Sequence, residues 1–99
     1  MNSTRARIRA IADAVCVEYG VTMQALRGES MITQVVEPRQ VAVHLCKKLA
    51  GAAFCDIGRY VANYTDSSAS CAYRKIMRRA ARDPSLAERL AKIESAVGD

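Results

Sequence analysis

The sequence predicts an all-α fold, a compact bundle of about six helices that forms one domain over residues 1–99. Apolar residues recur every three or four positions along most of the chain, which is typical of amphipathic helices. Glycines and prolines interrupt this pattern at intervals that suit helix ends. Alternation with a period of two, the pattern of a half-buried strand, is short wherever it occurs. At 99 residues, the chain is long enough to bury one hydrophobic core.

The first predicted helix begins after Ser3 or Thr4, either of which is a suitable N-cap. Gly20 follows its last apolar residue, as a helix-ending glycine does. A short second helix, capped by its own threonine, is predicted over residues 22–27. Residues 29–36 have no clear helical period and form either a packed loop or an early helical turn. The inward stripe of the first helix is Ile8, Ile11, Ala12, Val15 and Tyr19.

A third helix is predicted to begin at Pro38, because the N–H that proline lacks would be unpaired at a helix start. Gly51 is expected to end it. A break at Asp83-Pro84 precedes the last helix, since the residue before a proline resists helical geometry. Asp83 or Ser85 is the cap of that helix. The inward residues are Val41, Ala42, Leu45 and Leu49 in the third helix and Leu86, Leu90, Ile93 and Val97 in the last.

The segment 54–79 predicts two helices separated by a polar interruption at residues 62–64. Asn63, Thr65 and Asp66 are all suitable N-caps for the second helix, so the choice among them stays open. Small polar residues at the start of that helix and cations further along are typical of a DNA recognition helix, although a solvated basic face has the same pattern. Its inward stripe is Ala69, Ala72, Tyr73, Ile76 and Ala80. Its basic face carries Arg74, Lys75, Arg78, Arg79 and Arg82.

The charge balance of the chain favours an acidic partner. The formal net charge is +5 at pH 7, which suits nucleic acid or an anionic membrane surface. No apolar run approaches the roughly 18 residues of a membrane span, and no signal-peptide core follows the N-terminus. We therefore predict a cytoplasmic, nucleoid-associated protein without a membrane partner.

The cysteines show none of the spacings that indicate a metal site. Cys16, Cys46, Cys55 and Cys71 contain no C-x-x-C pair, and His44 is the only histidine. The local spacing that identifies a zinc site is therefore missing. Disulfides are unusual in a cytoplasmic chain with a workable core. We predict four reduced thiols packed as small hydrophobes and no bound metal.

Catalytic motifs are missing from the sequence as well. A nucleophile would need a histidine beside it as base, and the apolar neighbours of His44 indicate a half-buried structural position. No G-x-x-x-x-G-K-[ST] phosphate loop occurs, and the carboxylates are scattered rather than grouped as in a metal-binding loop. The sequence thus predicts a protein that is not an enzyme, with no cofactor and no small-molecule substrate.

Three blocks of sequence carry a resemblance to a known family. They are Pro38-Arg39-Gln40, then Asp56-Ile57-Gly58-Arg59-Tyr60, then Thr65-Asp66-Ser67-Ser68 with Ala72-Tyr73-Arg74-Lys75-Ile76 in register. With these blocks, residues 17–97 resemble the C-terminal DNA-binding domain, domain IV, of the bacterial chromosomal replication initiator DnaA. The resemblance implies a compact, Trp-repressor-like helical bundle. It also implies a helix-turn-helix that docks in the major groove of duplex DNA.

The resemblance implies roles for individual residues. In the family, the arginine and glutamine after the proline and a lysine on the same helix contact phosphate. Two cations of the basic helix join them as candidates, so the predicted phosphate contacts are Arg39, Gln40, Lys47, Arg74 and Lys75. The predicted base contacts are Thr65, Asp66, Ser67 and Ser68.

The recognition motif departs from the family pattern. The family reads Gly-Gly-Arg-Asp-His-Thr-Thr where residues 62–68 read Ala-Asn-Tyr-Thr-Asp-Ser-Ser. Asp66 therefore replaces a histidine, and the serines lack the methyl groups with which threonine contacts thymine. The family's basic loop, with its minor-groove arginine, corresponds to residues 29–34, and Thr33 is at the arginine position. We therefore predict no preference for the usual DnaA box.

Two classes of function follow from the sequence. The first is sequence-specific or semi-specific binding of double-stranded DNA by a stand-alone regulator of transcription or replication initiation. The second is a protein-interaction domain of the same fold that has lost recognition of the box and binds an initiator or regulator protein. The basic helix favours the first class, whereas Asp66 and the loss of the basic loop favour the second.

Overall fold

The computed structural model of the protein describes residues 3–28, 33–62 and 64–97, and these ranges contain six α-helices and no strand. The helices are α1 (Ser3–Tyr19), α2 (Met23–Arg27), α3 (Thr33–Leu45), α4 (Phe54–Ile57), α5 (Asp66–Arg82) and α6 (Pro84–Val97). Two of them continue as a π-helical turn, α3 through Cys46–Ala50 and α4 through Gly58–Ala62. The prediction of an all-α fold is confirmed. None of the described helices combines the length and the apolar character needed to cross a membrane.

All six helices contribute buried apolar side chains to one core cluster. The Cα radius of gyration is 12.0 Å, close to the ~13 Å of a compact domain of this length. Most residues of the inward stripes predicted from the sequence lie in this core. Tyr19, Leu49, Ala80 and Val97 are only partly buried at its edge, and the half-buried Tyr73 lies outside the cluster. A buried residue from each helix in turn is Ile11, Leu26, Leu45, Ile57, Ile76 and Leu90.

The predicted ends of three helices are confirmed. Gly20 follows α1 with a φ of 70°, a left-handed conformation that glycine adopts without steric cost. The Thr22 side chain accepts a hydrogen bond from the Ala25 N–H (3.0 Å) at the start of α2. Of the two candidate caps for α6, Asp83 is the one used, because its Oδ1 accepts from the Ser85 N–H (3.0 Å).

The start of α3 differs from the sequence prediction. The expectation that Pro38 begins this helix is wrong, because α3 begins at Thr33 and Pro38 lies inside it. Residues 33–36 are therefore helical, which decides between the two alternatives for that part of the segment. Residues 29–32 lie outside the described residues. They form most of the segment that corresponds to the family's basic loop.

Contacts to other helices explain the extra turn of α3. The Glu37 carboxylate accepts a hydrogen bond from the Tyr19 hydroxyl of α1 (2.8 Å) and pairs with Arg79 of α5 (3.2 Å). These contacts hold the residues before the proline against two neighbouring helices. The tertiary contacts outweigh the local signal of Pro38 as a helix start. At the other end, Gly51 terminates the π-helical turn with a φ of 65°, as predicted.

The connection from α4 to α5 is a tight turn in which two backbone segments touch. The Tyr64 N–H donates to the Gly58 carbonyl oxygen (3.0 Å). A Cβ atom at position 58 would lie 3.0 Å from the Tyr64 carbonyl carbon and would overlap its oxygen. The turn therefore requires glycine at this position. Asn63, one of the candidate caps of α5, lies outside the described residues.

The cap of α5 is Thr65. Its Oγ1 accepts a hydrogen bond from the Ser68 N–H (3.2 Å), and the helix proper begins with Asp66. A capped N-terminus satisfies one of the N–H groups that a helix leaves unpaired.

Candidate nucleic-acid interface

The first turn of α5 exposes a group of small polar side chains. Asp66, Ser67 and Ser68 are all exposed, and so are Arg74 and Lys75 further along the same helix. Residues three or four apart share a helix face. The exposed residue 71 is four positions after Ser67, three before Arg74 and four before Lys75, so all of them lie on one face. The structure thus brings a polar first turn and a basic patch onto one side of α5.

Shallow clefts border this side of α5. On the side of α4, Phe54 lines a cleft together with Ser67 and Arg74. On the side of α3, Gln40 lines a cleft together with Ser68 and Lys75. Gln40, Arg74 and Lys75, predicted as phosphate contacts, therefore lie beside the residues predicted to contact bases.

Stacked rings fix α5 against α3 and α4. The His44 ring of α3 stacks on the Tyr73 ring of α5, with a centroid distance of 5.0 Å and an interplanar angle of 24°. Tyr73 also meets the Phe54 ring of α4 edge to face, at a centroid distance of 5.8 Å. Such pairs stabilise helix packing by ~0.5–1.5 kcal/mol beyond the area they bury. Since these residues are far apart in the sequence, no local pattern predicts their contact.

His44 is a structural residue in this arrangement. Only 5% of its surface is exposed, so it is more deeply buried than the sequence indicates. Burial lowers the pKa of His44, although the hydrogen bond between its Nδ1 and the Tyr73 carbonyl oxygen (3.2 Å) opposes that shift. A neutral imidazole that donates to this carbonyl accounts for the geometry.

Lys47 lies against Phe54 of α4. Its Nζ is 4.8 Å from the centroid of the Phe54 ring and 3.2 Å from the Ala52 carbonyl oxygen. The next residue, Lys48, instead pairs with Glu94 of α6 (3.0 Å). The two adjacent lysines therefore point toward different helices, Lys47 toward α4 and Lys48 toward α6.

Arg39 is withdrawn from the surface. Only 2% of it is exposed. Its Nε donates to the Leu26 carbonyl oxygen (2.7 Å) and its Nη2 to the Ala25 carbonyl oxygen (3.1 Å). These are carbonyl groups at the C-terminal end of α2, which a cation stabilises. A side chain so deeply buried and so engaged does not present its charge to a phosphate, which is at odds with the predicted role of Arg39.

The side chains of Thr65, a predicted base contact, and of Arg79, on the predicted basic face, have partners of their own. Besides its capping bond, the Thr65 hydroxyl donates to the Ser68 Oγ (3.2 Å), so its side chain serves the start of α5. Arg79 belongs to the seam between α3 and α5, where it pairs with Glu37 (3.2 Å). The exposed basic side chains of α5 are Arg74, Lys75, Arg78 and Arg82.

The cysteines do not all lie in the core. Cys16 and Cys46 are buried free thiols, as the sequence predicts, whereas Cys55 and Cys71 are exposed. The prediction that all four pack as small hydrophobes is therefore wrong for two of them. Cys71 lies off the buried stripe of α5, so its thiol faces outward. In the ranges that the structure describes, no three potential metal-ligating side chains come together.

Comparison with known proteins identifies similar sequences. A family model described as the bacterial dnaA protein helix-turn-helix matches residues 8–76. The chromosomal replication initiator protein DnaA of Bartonella quintana is 34% identical over 98% of this chain, and that of Brucella abortus is 30% identical over 96%. The Lacticaseibacillus casei protein of the same name is 30% identical over 68%. The chain spans about a fifth or less of the length of these relatives.

Proposed function

The chain belongs to the bacterial DnaA helix-turn-helix family, and we propose that it binds double-stranded DNA with α5 in the major groove. Membership of this family supports DNA binding as such. The observation that carries the proposal is the exposed first turn of α5, with Asp66, Ser67 and Ser68 between clefts that hold Gln40 and Arg74. Polar side chains at a helix N-terminus with cations beside them suit base readout flanked by phosphate contacts.

The proposed roles follow from the chemistry of each side chain. The serine hydroxyls both donate and accept hydrogen bonds. The Asp66 carboxylate, when ionised, only accepts, and it fits a cytosine N4 amine. The proposed phosphate contacts are Gln40, Lys47, Arg74 and Lys75. Arg39 is left out of this group, since its guanidinium is bonded to carbonyl groups of α2.

The proposed biological role is that of a regulator of transcription or replication initiation that is associated with the nucleoid. We propose that its target differs from the usual DnaA box. Asp66, exposed at the start of α5, supports this, because a carboxylate at the base-reading position cannot donate to the acceptors of guanine.

The role of Lys47 is tested by the salt dependence of duplex binding. A lysine that contacts phosphate releases a counterion, so Lys47→Ala should weaken binding to all sequences and lower the slope of log K against log salt by about one. Lys48→Ala is the matched control, because the neighbouring lysine pairs with Glu94 of α6 instead. Fluorescence anisotropy with a labelled duplex over a range of salt concentrations measures both slopes.

The opposite pattern would contradict the docking model. If Lys48→Ala lowers the slope and Lys47→Ala leaves it unchanged, the duplex does not approach the α4 side of the helix-turn-helix. A slope near zero for the native chain would exclude phosphate binding and with it the proposed function.

A cleft between α1 and α2 favours the second candidate function, binding to an initiator or regulator protein. It has a volume of about 850 Å³, an apolar lining that includes Ile8 and Met23, and arginines that include Arg9 and Arg27. An apolar cleft with cations beside it suits an acidic partner with an exposed apolar side chain. Size-exclusion chromatography with a full-length initiator from the same cell tests this interaction. Arg27→Glu should abolish co-elution of the two proteins, whereas duplex binding by the variant should be unaffected.

A further inference from the structure

The cleft between α1 and α2 has the shape of a groove for a short helix. On α1 it is lined from Arg5 to Ala12, a length of about 10 Å at the rise of an α-helix. Met23 and Arg27 of α2 line the opposite wall, and Tyr60 lines the cleft from the π-helical turn after α4. A groove of this length accommodates about two turns of a third helix.

The floor of the groove is apolar and adaptable. Ile8 is buried beneath it, and the half-buried side chains of Met23 and Tyr60 border it. Methionine is flexible and repacks easily around the side chain of a partner. Methionine, tyrosine and arginine are also enriched in the cores of protein–protein interfaces. The floor therefore suits one or two apolar side chains of a bound segment.

The groove is basic on both walls. Arg5 and Arg9 lie one turn apart on α1, and Arg27 lies on α2. Among the residues that the structure describes, no aspartate or glutamate lines the groove. On other parts of the described surface Arg79 and Arg89 pair with carboxylates, whereas Arg9 and Arg27 belong to none of the ion pairs there. The charge of the groove is thus complementary to an acidic ligand.

The distribution of these arginines favours a ligand with several negative charges. Because the cations lie on both sides of the apolar floor, a small anion with a single charge would meet only part of them. An amphipathic helix with an apolar stripe and acidic residues on both flanks matches the whole groove, since such a helix repeats its apolar residues every three or four positions.

We propose that this groove binds an acidic amphipathic helix of a partner protein, and that it does so while α5 is bound to duplex DNA. None of the described residues that line the clefts beside α5 also lines the groove. A bound segment therefore leaves Gln40, Ser67 and Arg74 accessible to the duplex. The groove gives the second candidate function its partner chemistry, and simultaneous binding rests on the proposed function of α5. The chain would then hold an acidic protein beside DNA.

A labelled synthetic peptide of about three helical turns tests the class of ligand. It carries leucines along one face and glutamates on both flanks of that face. Two matched peptides replace the glutamates by glutamines or the leucines by alanines. In fluorescence anisotropy with the full chain, each replacement should lower the affinity by about tenfold or more, because it removes several charge pairs or the burial of the leucines.

Variants of the chain test the place of binding. Arg9→Gln and Arg27→Gln should each weaken binding of the acidic peptide by about threefold, and together by about tenfold. Arg7→Gln is the matched control, because it removes the same charge from the same helix. The Arg7 Nη2 donates to the Leu49 carbonyl oxygen instead (3.0 Å), outside the groove. The affinity of this variant for the peptide should change by less than about twofold.

Competition identifies other occupants of the groove. An excess of unlabelled duplex should leave the peptide bound, whereas displacement would place the peptide on the basic face of α5 and overturn the proposal. Decanoate that displaces the peptide at equal concentration would identify a small anionic ligand instead. A dimer that Arg9→Gln dissociates would identify a second copy of the chain. Equal effects of Arg7→Gln and Arg9→Gln would exclude the groove as the binding site.

The remaining outcomes separate this proposal from the proposed functions. If the chain binds the acidic peptide but no duplex, the docking groove stands, and DNA binding and simultaneous binding fail. If it binds duplex but none of the peptides, only the docking groove fails. Co-elution of a full-length initiator without any binding of the peptide would support the second candidate function and exclude the acidic helix as its ligand.

Discussion

At the scale of single residues, Arg39 shows how a buried charge is accommodated in this fold. A charged residue with 2% of its surface exposed is costly to bury unless its charged group is hydrogen-bonded. The carbonyl oxygens of Ala25 and Leu26 at the end of α2 supply two of its partners. Because α2 is only five residues long, much of its position depends on such contacts. Arg39 therefore links α3 to a short helix that has little stability of its own.

Replacing Arg39 should separate its role in stability from any role in DNA binding. Arg39→Met keeps an apolar stem but leaves the buried Leu26 carbonyl without this donor, so the free energy of unfolding should fall by about 2 kcal/mol. The salt slope of duplex binding should not change. Gln40→Met, at the adjacent position beside Lys75, should lower duplex affinity and change stability by less than ~0.5 kcal/mol. Urea denaturation and anisotropy titrations measure the two quantities.

An unchanged stability of Arg39→Met together with a slope reduced by about one would restore its predicted phosphate contact. The sequence did not predict the burial of this residue because the partner carbonyls come from another helix. A basic residue on the polar side of a helical pattern has the same local signal whether it meets solvent or the end of α2. By contrast, the burial of Ile8, Ile76 and Leu90 follows from periodicity within their own helices.

At the scale of secondary-structure elements, the turn between α4 and α5 determines how α5 is presented. The Tyr64 backbone lies against Gly58, with an N–H to carbonyl hydrogen bond of 3.0 Å. The stacked rings of His44, Tyr73 and Phe54 then fix the far side of α5. The helix is therefore held by a backbone contact at its start and by aromatic contacts two turns later.

Gly58→Ala should destabilise the protein and displace α5. The new methyl group would overlap the Tyr64 carbonyl, and relieving such overpacking costs about 1–3 kcal/mol. Gly28→Ala is the matched control. The Cβ there would lie 3.3 Å from the Gln24 carbonyl oxygen, the backbone φ is −74°, and the cost should stay below ~1 kcal/mol. Thermal unfolding followed by circular dichroism measures the stability of both variants. Equal stabilities would show that the turn rearranges around the methyl group without a free-energy cost.

Where the signal is local, the sequence narrows a helix start to one, two or three candidate caps. Thr22, Thr65 and Asp83 cap their helices with side chains that reach backbone N–H groups two or three residues ahead. The start of α3 was not predictable in this way, because its first turn is held by contacts from Glu37 to α1 and α5. The sequence does not predict the aromatic stack for the same reason, since its members come from three helices.

At the scale of the whole molecule, the exposed cations of α5 and the side chains predicted to contact bases lie on different turns of the helix. Arg74 and Lys75 are exposed about two turns after the start of α5, while Arg79 is paired with Glu37. Of the cations predicted to contact phosphate, Arg39 is buried and bonded to α2, whereas Arg74 and Lys75 are exposed. Asp66 adds a carboxylate at the start of α5, where the helix dipole stabilises it but where it would repel nearby phosphates.

The sequence predicts where residues 65–68 lie in the fold, but it does not predict the contacts that their side chains make. The order of the sequence blocks places residues 65–68 at the start of the second helix of the helix-turn-helix, and the structure has α5 beginning there. The sequence could not show that the Thr65 hydroxyl is engaged in the cap. It also could not show that the Cys71 side chain is exposed, because exposure depends on how α5 is rotated against α3 and α4.

The last prediction is that the chain does not prefer the usual DnaA box. The family histidine can donate to base acceptors, whereas an ionised Asp66 only accepts and repels guanine O6 and N7. Each lost base contact costs about 1–3 kcal/mol of discrimination. In competition binding at moderate salt, a box duplex and a scrambled duplex of equal composition should therefore bind within about tenfold of each other. Asp66→His should raise the preference for the box, and Asp66→Ala should not, because only histidine restores the donor. A preference of about a hundredfold or more by the native chain would show that the substituted motif still reads the box.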